Sequence, residues 1–169
     1  EYEQHYGDYL RASHENWKEN KRVSFYDELE AGKSYFLAKK VRNPDMKLIV
    51  PTEDEWLKQA GFLQSVFDTL IHNSIKHGFK NITYPGEIII TANIIEQYLC
   101  CTVSDNGIPP INKASYLKNN DHGLNLLKAR IKNMYIESGN KIPIDFFEAL
   151  ILPDRKGTQI RFKLRYEKI

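Results

Sequence analysis

The segment His72-Asn73-Ser74-Ile75-Lys76-His77 places an amide at 73, an ammonium at 76 and an imidazole at 77. On a helix these three leave from one side. An amide oxygen can enter a magnesium shell, and Lys and His can donate to phosphate oxygens. A polar helix face with nothing bound to it would read the same way. In Val103-Ser104-Asp105-Asn106-Gly107 a carboxylate ends a strand and meets a glycine turn. It could accept a hydrogen bond from an exocyclic amine such as that of adenine, or it could simply open a common Asp-Asn-Gly turn. His122-Gly123-Leu124 enters a helix after a long loop. A helix start offers free N–H groups and partial positive charge to phosphate, and glycine lets the backbone come close. An ordinary loop-to-helix junction looks alike. Each segment is ambiguous alone, whereas their order and spacing together are not.

The elements that position these segments follow from periodicity. Tyr2, Tyr6, Tyr9, Leu10, Ser13 and Trp17 form a weak helical stripe within residues 1–22. Ser24 can cap a second helix, with Asp27 and Glu28 in its first turn, Leu29, Phe36, Leu37 and Val41 as its apolar face, and Asn43-Pro44 as its stop. Met46–Val50 is a short strand. From Glu53 to Lys76 the pattern is helical, with Leu63, Val66, Phe67, Leu70, Ile71 and Ser74 as a buried stripe and Gly78 as the stop. Gly86–Ile94 and Tyr98–Asp105 read as strands around the turn residues Glu96-Gln97. The run Ile88-Ile89-Ile90 is apolar enough to call for cover on both faces. Residues 107–122 form a long loop, and Leu124, Leu127, Ile131 and Met134 mark a further helix. Phe146–Leu152 and Thr158–Tyr166 close the chain as a hairpin around Pro153–Gly157. The result is an α/β layered domain with one sheet covered by helices.

Composition bounds the function. At 169 residues the chain fits one domain with a short helical extension, large enough for a core without cross-links. The 41% hydrophobic and 27% charged content is that of a globular protein, and no apolar run approaches the roughly 20 residues of a membrane span. A net charge of +2 gives no argument for nucleic acid or an anionic membrane surface. The two cysteines, Cys100 and Cys101, are neighbours, which excludes a disulfide framework or zinc ribbon and agrees with a reducing cytoplasm. They alternate across a strand, so one should face the core. A start at Glu1 without a signal-like segment reads as a piece of something larger.

Taken together the motifs resemble the ATP-binding (HATPase) domain of sensor histidine kinases in the GHKL superfamily. Leu70-Ile71-His72-Asn73-Ser74-Ile75-Lys76-His77-Gly78 looks like the N box, and Asp105-Asn106-Gly107 like the first glycine box. Gly123-Leu124 through Arg130 is similar to the second box, and Gly157-Thr158 to the last Gly-Thr element. Val23-Ser24-Phe25-Tyr26-Asp27-Glu28-Leu29-Glu30, ahead of a helix containing Tyr35, resembles the LytS-type subfamily, which commonly pairs with LytTR-type regulators. The likeness spans about residues 22–166.

The resemblance implies a Bergerat-type two-layer sandwich at 23–169, with 1–22 as a helical remnant of the dimerisation and phosphoacceptor hairpin. It implies Mg2+ and ATP as cofactors. Asn73 would ligate magnesium, and Lys76 and His77 would lie near the phosphates. Asp105 would hold the adenine amine, Gly107 would shape the pocket, and residues 108–122 would form a lid. Gly123 and Leu124 would open the helix under the phosphates, and Thr158 would sit beside Asp105. His72 replaces the acidic residue that usually precedes the N-box asparagine, so it joins Asn73 and Lys76 as a candidate in catalysis, although a histidine there could equally face solvent or cap a neighbour.

Other positions depart from the pattern. Pro109 replaces a second glycine and stiffens the lid hinge, Asp121 replaces the first glycine of the second box, and Leu126 stands where an asparagine is frequent. Lys113 and Lys118 could offset the charge of Asp121. None of the five histidines lies in a phosphoacceptor motif, so the γ-phosphoryl would pass to a histidine outside this fragment. The fragment should be largely monomeric, while the full-length kinase would be a homodimer, anchored in the membrane with this part in the cytoplasm, and would act on a response regulator. A nucleotide-free, degenerate domain serving as a scaffold is the alternative that Pro109, Asp121 and His72 support. A chaperone- or topoisomerase-like ATPase fits less well, because Thr69 stands where those enzymes carry an acidic base.

Overall fold

In a computed structural model of the chain, residues 22–111 and 122–169 are described. The helical stripe expected within 1–22, and the lid residues Lys113, Lys118 and Asp121, fall outside them.

Strand β1 (Arg22–Ser24) leads directly into helix α1 (Phe25–Lys40). The Ser24 hydroxyl accepts the Asp27 N–H at 3.0 Å, the expected cap. Leu29 and Phe36 are buried, but Leu37 and Val41 are 61% and 82% exposed, so the packed face differs from the expected one. It runs through Phe25, Glu28, Leu29, Gly32 and Phe36. Seven residues is close to two turns, which aligns Phe36 with Leu29 and leaves Leu37 rotated away. Glu28, expected only to complement the helix dipole, is buried in that face. Strand β2 (Lys47–Ile49) follows.

The helix expected over 53–76 is instead three elements: α2 (Glu55–Gln59), β3 (Gly61–Leu63) and α3 (Phe67–Asn73). Gly61, Phe62 and Leu63 pair antiparallel with β1, and all three are buried. Ser65 then takes a φ of 62°, a left-handed conformation that interrupts any helix. Leu63 thus belongs to a strand although its spacing fits the helical stripe. After Asn73 the helix widens into a π turn, Ser74–Gly78, closed by a bond from Phe79 N–H to the Ser74 carbonyl at 3.0 Å.

Strands β4 (Glu87–Ile95) and β5 (Tyr98–Asp105), helix α4 (His122–Glu137), and strands β6 (Phe147–Ile151) and β7 (Thr158–Arg165) complete the chain. The main sheet has the order β2-β4-β5-β7-β6, parallel between β2 and β4 and antiparallel elsewhere. This is the expected mixed sheet covered by helices. One face buries Ile88, Ile90, Leu99, Val103 and Ile160 in a core shared with Phe67, Leu70, Ile71, Leu124, Leu127 and Ile131 of the helices. The other face carries the half-buried Ile89, with Thr91 and Asn93 exposed, so the Ile88-Ile89-Ile90 run is not covered on both sides. Isoleucine's fit to a pleated surface accounts for it without a second layer. Cys101 is buried and Cys100 half-buried, both as free thiols. Phe25, Phe62 and Phe67 knit β1, β3, α1 and α3 together, with ring centroids 4.9, 5.3 and 5.4 Å apart.

Candidate functional site

Asp105 ends β5, and its carboxylate is 7% exposed. Oδ2 accepts from the Ser74 hydroxyl at 2.8 Å and the Thr158 hydroxyl at 2.9 Å, while Oδ1 accepts the Gly107 N–H at 2.9 Å. Three of about four acceptor positions of the carboxylate are therefore used, and the open one is on Oδ1. Burial pushes the Asp105 carboxyl above the ordinary carboxylate value, against the pull of these hydrogen bonds, led by that from Ser74.

Two glycines bring backbone segments onto Asp105, one at its carboxylate and one at its main-chain carbonyl. A Cβ on Gly78 would stand 3.3 Å from Oδ1, so the bare glycine keeps the approach to that oxygen open. On Gly157, whose φ is 138°, a Cβ would overlap the Asp105 carbonyl oxygen. The Ile108 N–H donates to the Gly78 carbonyl at 2.9 Å, and the next residue, Pro109, is buried, so the hinge expected to be stiff is also anchored. Asn106 fastens the turn to the start of β4: its side-chain oxygen accepts the Glu87 N–H at 2.7 Å, and its amide donates to the Pro85 carbonyl at 3.1 Å.

Asn73 is half-buried on the helix turn preceding this carboxylate, and no hydrogen bond ties its amide to another described residue. Lys76 and His77 are exposed beyond it on the π turn. One turn before Asn73, Thr69 meets the start of α4, where a Cβ on Gly123 would stand 3.2 Å from Thr69 Cγ2. Gly123 is half-buried. The Leu124 side chain is buried in the core, so it can offer only backbone there. A line thus runs from Asp105 along α3 to the first turn of α4, and Asp105, Gly107 and Thr158 form one cluster at its head.

His72 belongs elsewhere. Its Nδ1 lies 2.7 Å from the Tyr35 hydroxyl on α1. Burial, and then the charges of Lys39, Lys76 and His77, lower its pKa to about 4, so the ring is neutral near pH 7. Sequence alone did not single out the anchoring roles of Ser74 and Gly78. The signal was a small polar residue inside an apolar helical stripe, followed four residues later by glycine. A cleft of about 480 Å³ between Arg42, Asp45, Phe79, Lys80 and Tyr84 is lined by none of the expected site residues.

Among the described residues no three His, Cys, Asp or Glu side chains cluster as a metal site. The donor chemistry nevertheless suits magnesium, which dehydrates reluctantly and is held by one or two protein oxygens together with substrate phosphates. Asn73 offers such an oxygen.

No protein-family profile matches the chain. Its fold is that of histidine kinase catalytic domains. The catalytic domain of histidine kinase ThkA matches 88% of this chain and 98% of its own length at a TM-score of 0.56 and 15% identity. Acinetobacter baumannii histidine kinase AdeS matches 86% of this chain and 66% of its own length at a TM-score of 0.58 and 12% identity. In sequence, the sensor protein LytS of Staphylococcus saprophyticus is 28% identical over 159 residues, 89% of this chain and 26% of that protein. LytS of Staphylococcus epidermidis is 28% identical over 92 residues, 54% of this chain and 16% of that protein. Both likenesses, in sequence to LytS sensor proteins and in fold to histidine kinase catalytic domains, support the resemblance that the motifs carry. The chain spans about a quarter of the length of the Staphylococcus saprophyticus relative.

Proposed function

We propose that this domain binds Mg-ATP and serves as the catalytic domain of a two-component sensor histidine kinase, delivering the γ-phosphoryl to a histidine outside the fragment. The observation that supports it most is the Asp105 carboxylate, fixed by Ser74, Gly107 and Thr158 with one oxygen position left open. That oxygen would accept the exocyclic amine of adenine, a donor that guanine lacks at the corresponding ring position. Asn73 would hold the magnesium, and Lys76 and His77 would neutralise phosphate charge. The amides opening α4 at Gly123 and Leu124 would face the triphosphate. The chemistry supplied by an ion held at Asn73 would be neutralisation of the charge that develops in transfer. The protein's share is positioning and electrostatics. His72 would act through Tyr35 and its place beside Asn73. The partners of the full-length protein would be its own phosphoacceptor hairpin, in a homodimer, and a response regulator. The full-length sensor would be membrane-anchored with this part in the cytoplasm; no described helix is long and apolar enough to cross a membrane.

Titration calorimetry with ATP and magnesium tests the reading. Binding in the micromolar to low-millimolar range that needs magnesium, and that Asn73→Ala removes, is expected. Absence of heat from a folded sample at several millimolar ATP would overturn it. That result would favour the degenerate scaffold, to which the buried Pro109 and the His72–Tyr35 contact lend support.

A further inference from the structure

Helix α1 meets α3 through a stripe of three residues, Glu28, Gly32 and Tyr35, spaced to share one face. Glu28 is 3% exposed, and its Oε1 accepts the Val66 N–H at 2.7 Å and the Phe67 N–H at 3.2 Å. These amides open α3, where a helix leaves its N–H groups without intrahelical partners, and Val66 supplies no side-chain cap of its own. At Gly32 a Cβ would stand 2.7 Å from Phe67 Cβ, so the two helices approach as closely as a missing side chain allows. Tyr35 reaches His72, the residue before Asn73. Contacts climb both helices in the same order, so α1 and α3 run side by side in one direction.

We propose that Glu28 and Tyr35 are positioning residues for Asn73, fixing the first and last turns of α3 so that the placement of α1 sets the geometry of the magnesium ligand. A helix of seven residues has too few internal bonds to hold its own ends, so side chains from outside decide where it starts and stops. Glu28 controls the start. Among the described residues the charged group facing it is Asp68, itself 2% exposed on the first turn of α3. Burial, and then the Asp68 charge, push the Glu28 carboxyl to about 8, so at neutral pH it caps the helix as an uncharged acid. Its carbonyl oxygen still accepts both amides in that form. Ionisation would set two buried carboxylates against each other at the point where α3 begins, and the displacement would travel the two turns to Asn73.

The inference concerns the same site as the nucleotide reading, but its decisive test needs no nucleotide. In the isotope-labelled chain, the backbone amides of Val66 and Phe67 and the side-chain amide of Asn73 are followed by NMR from pH 6 to 9.5. A shared inflection around pH 8 at all three is expected. Glu28→Gln should abolish it, whereas Tyr35→Phe should displace the Asn73 signals and leave the Val66 and Phe67 inflection in place. An inflection confined to Val66 and Phe67 would reduce Glu28 to a local cap and overturn the inference, and so would no inflection at all. The wild-type titration alone decides this, whether or not either variant folds. A calorimetric titration with Mg-ATP supplies the functional readout, with affinity several-fold lower at pH 9 than at pH 6.5 in the wild type but not in Glu28→Gln. If the wild type binds no nucleotide at any pH, the nucleotide reading fails while the amide titration still decides the positioning role.

Discussion

Gly107 lies against the backbone of Gly78, and a Cβ on Gly107 would stand 2.6 Å from the Cα, carbonyl carbon and carbonyl oxygen of Gly78. This contact joins the turn after β5 to the π turn that ends the Asn73 helix, and it keeps Asp105 beneath that helix. Gly107 does not have a positive φ, so glycine is needed there for close approach rather than for backbone freedom.

Gly107→Ala should therefore cost about 1–3 kcal/mol, as overpacking of a closed contact does. An ordinary turn glycine at negative φ would behave oppositely, gaining about 0.4–1 kcal/mol through the unfolded chain. Urea unfolding of the two proteins gives the sign directly, and a gain in stability would show that the approach to Gly78 is not tight.

Asp105→Asn separates a structural carboxylate from one that reads a ligand. The amide keeps the shape, its oxygen can still accept the Gly107 N–H, and the Ser74 and Thr158 hydroxyls can rotate to accept from its nitrogen. Stability should fall by about 1 kcal/mol or less. Nucleotide affinity should fall on the order of tenfold, because a charge-assisted bond is roughly twice as strong as its neutral counterpart. Equal free-energy losses in unfolding and binding would make Asp105 a turn residue alone.

Glu28 makes stability depend on pH in a stated direction. Its carboxyl is raised from 4.5 to about 8 in the folded chain, so between those values the native state holds a proton that the unfolded state has released. The favourable contribution is full below about pH 4.5 and is lost as pH rises through about 8, at no more than about 1.4 kcal/mol per pH unit. Glu28→Gln mimics the protonated acid and should remove this slope, leaving the variant more stable than the wild type above pH 8. Chemical denaturation at pH 5.5, 7 and 8.5 measures it, and parallel pH profiles for the two proteins would rule it out.

Much of this was legible in the sequence because the informative residues repeat or are chemically specific. Ser24 as a cap and the strands β4 and β5 appear where residue type and spacing place them, whereas it is the family resemblance, not spacing, that puts Thr158 beside Asp105. The errors share a physical cause, in that local spacing cannot report a distant partner. Leu63 fits a helical stripe until β1 pairs with its neighbours, and Glu28 looks like a surface helix-start acid until Val66 and Phe67 present their amides. Ile89 looks double-covered because isoleucine suits any strand, wet or dry. His72 reads equally as a candidate in catalysis or as a residue facing solvent or capping a neighbour, because the partner that draws it toward α1, Tyr35, lies 37 residues away.

Arg155 sits in the turn between β6 and β7 and holds the chain just past the hinge. Its guanidinium donates to the Pro110 carbonyl at 2.7 Å and the Ile111 carbonyl at 3.3 Å. Its own φ is 54°, which costs a residue with a Cβ about 1–2 kcal/mol relative to glycine. The two features pull apart in substitutions. Arg155→Ala removes the grip and keeps the strain, so hydrogen exchange at Ile108 and Ile111 should quicken while global stability moves by no more than about 0.5 kcal/mol, as for most exposed positions. Arg155→Gly removes both, so the same amides should exchange faster although the protein unfolds at higher urea than Arg155→Ala. Unchanged exchange in both variants would mean that the guanidinium contacts are incidental and that Ile108 is held by its bond to Gly78 alone.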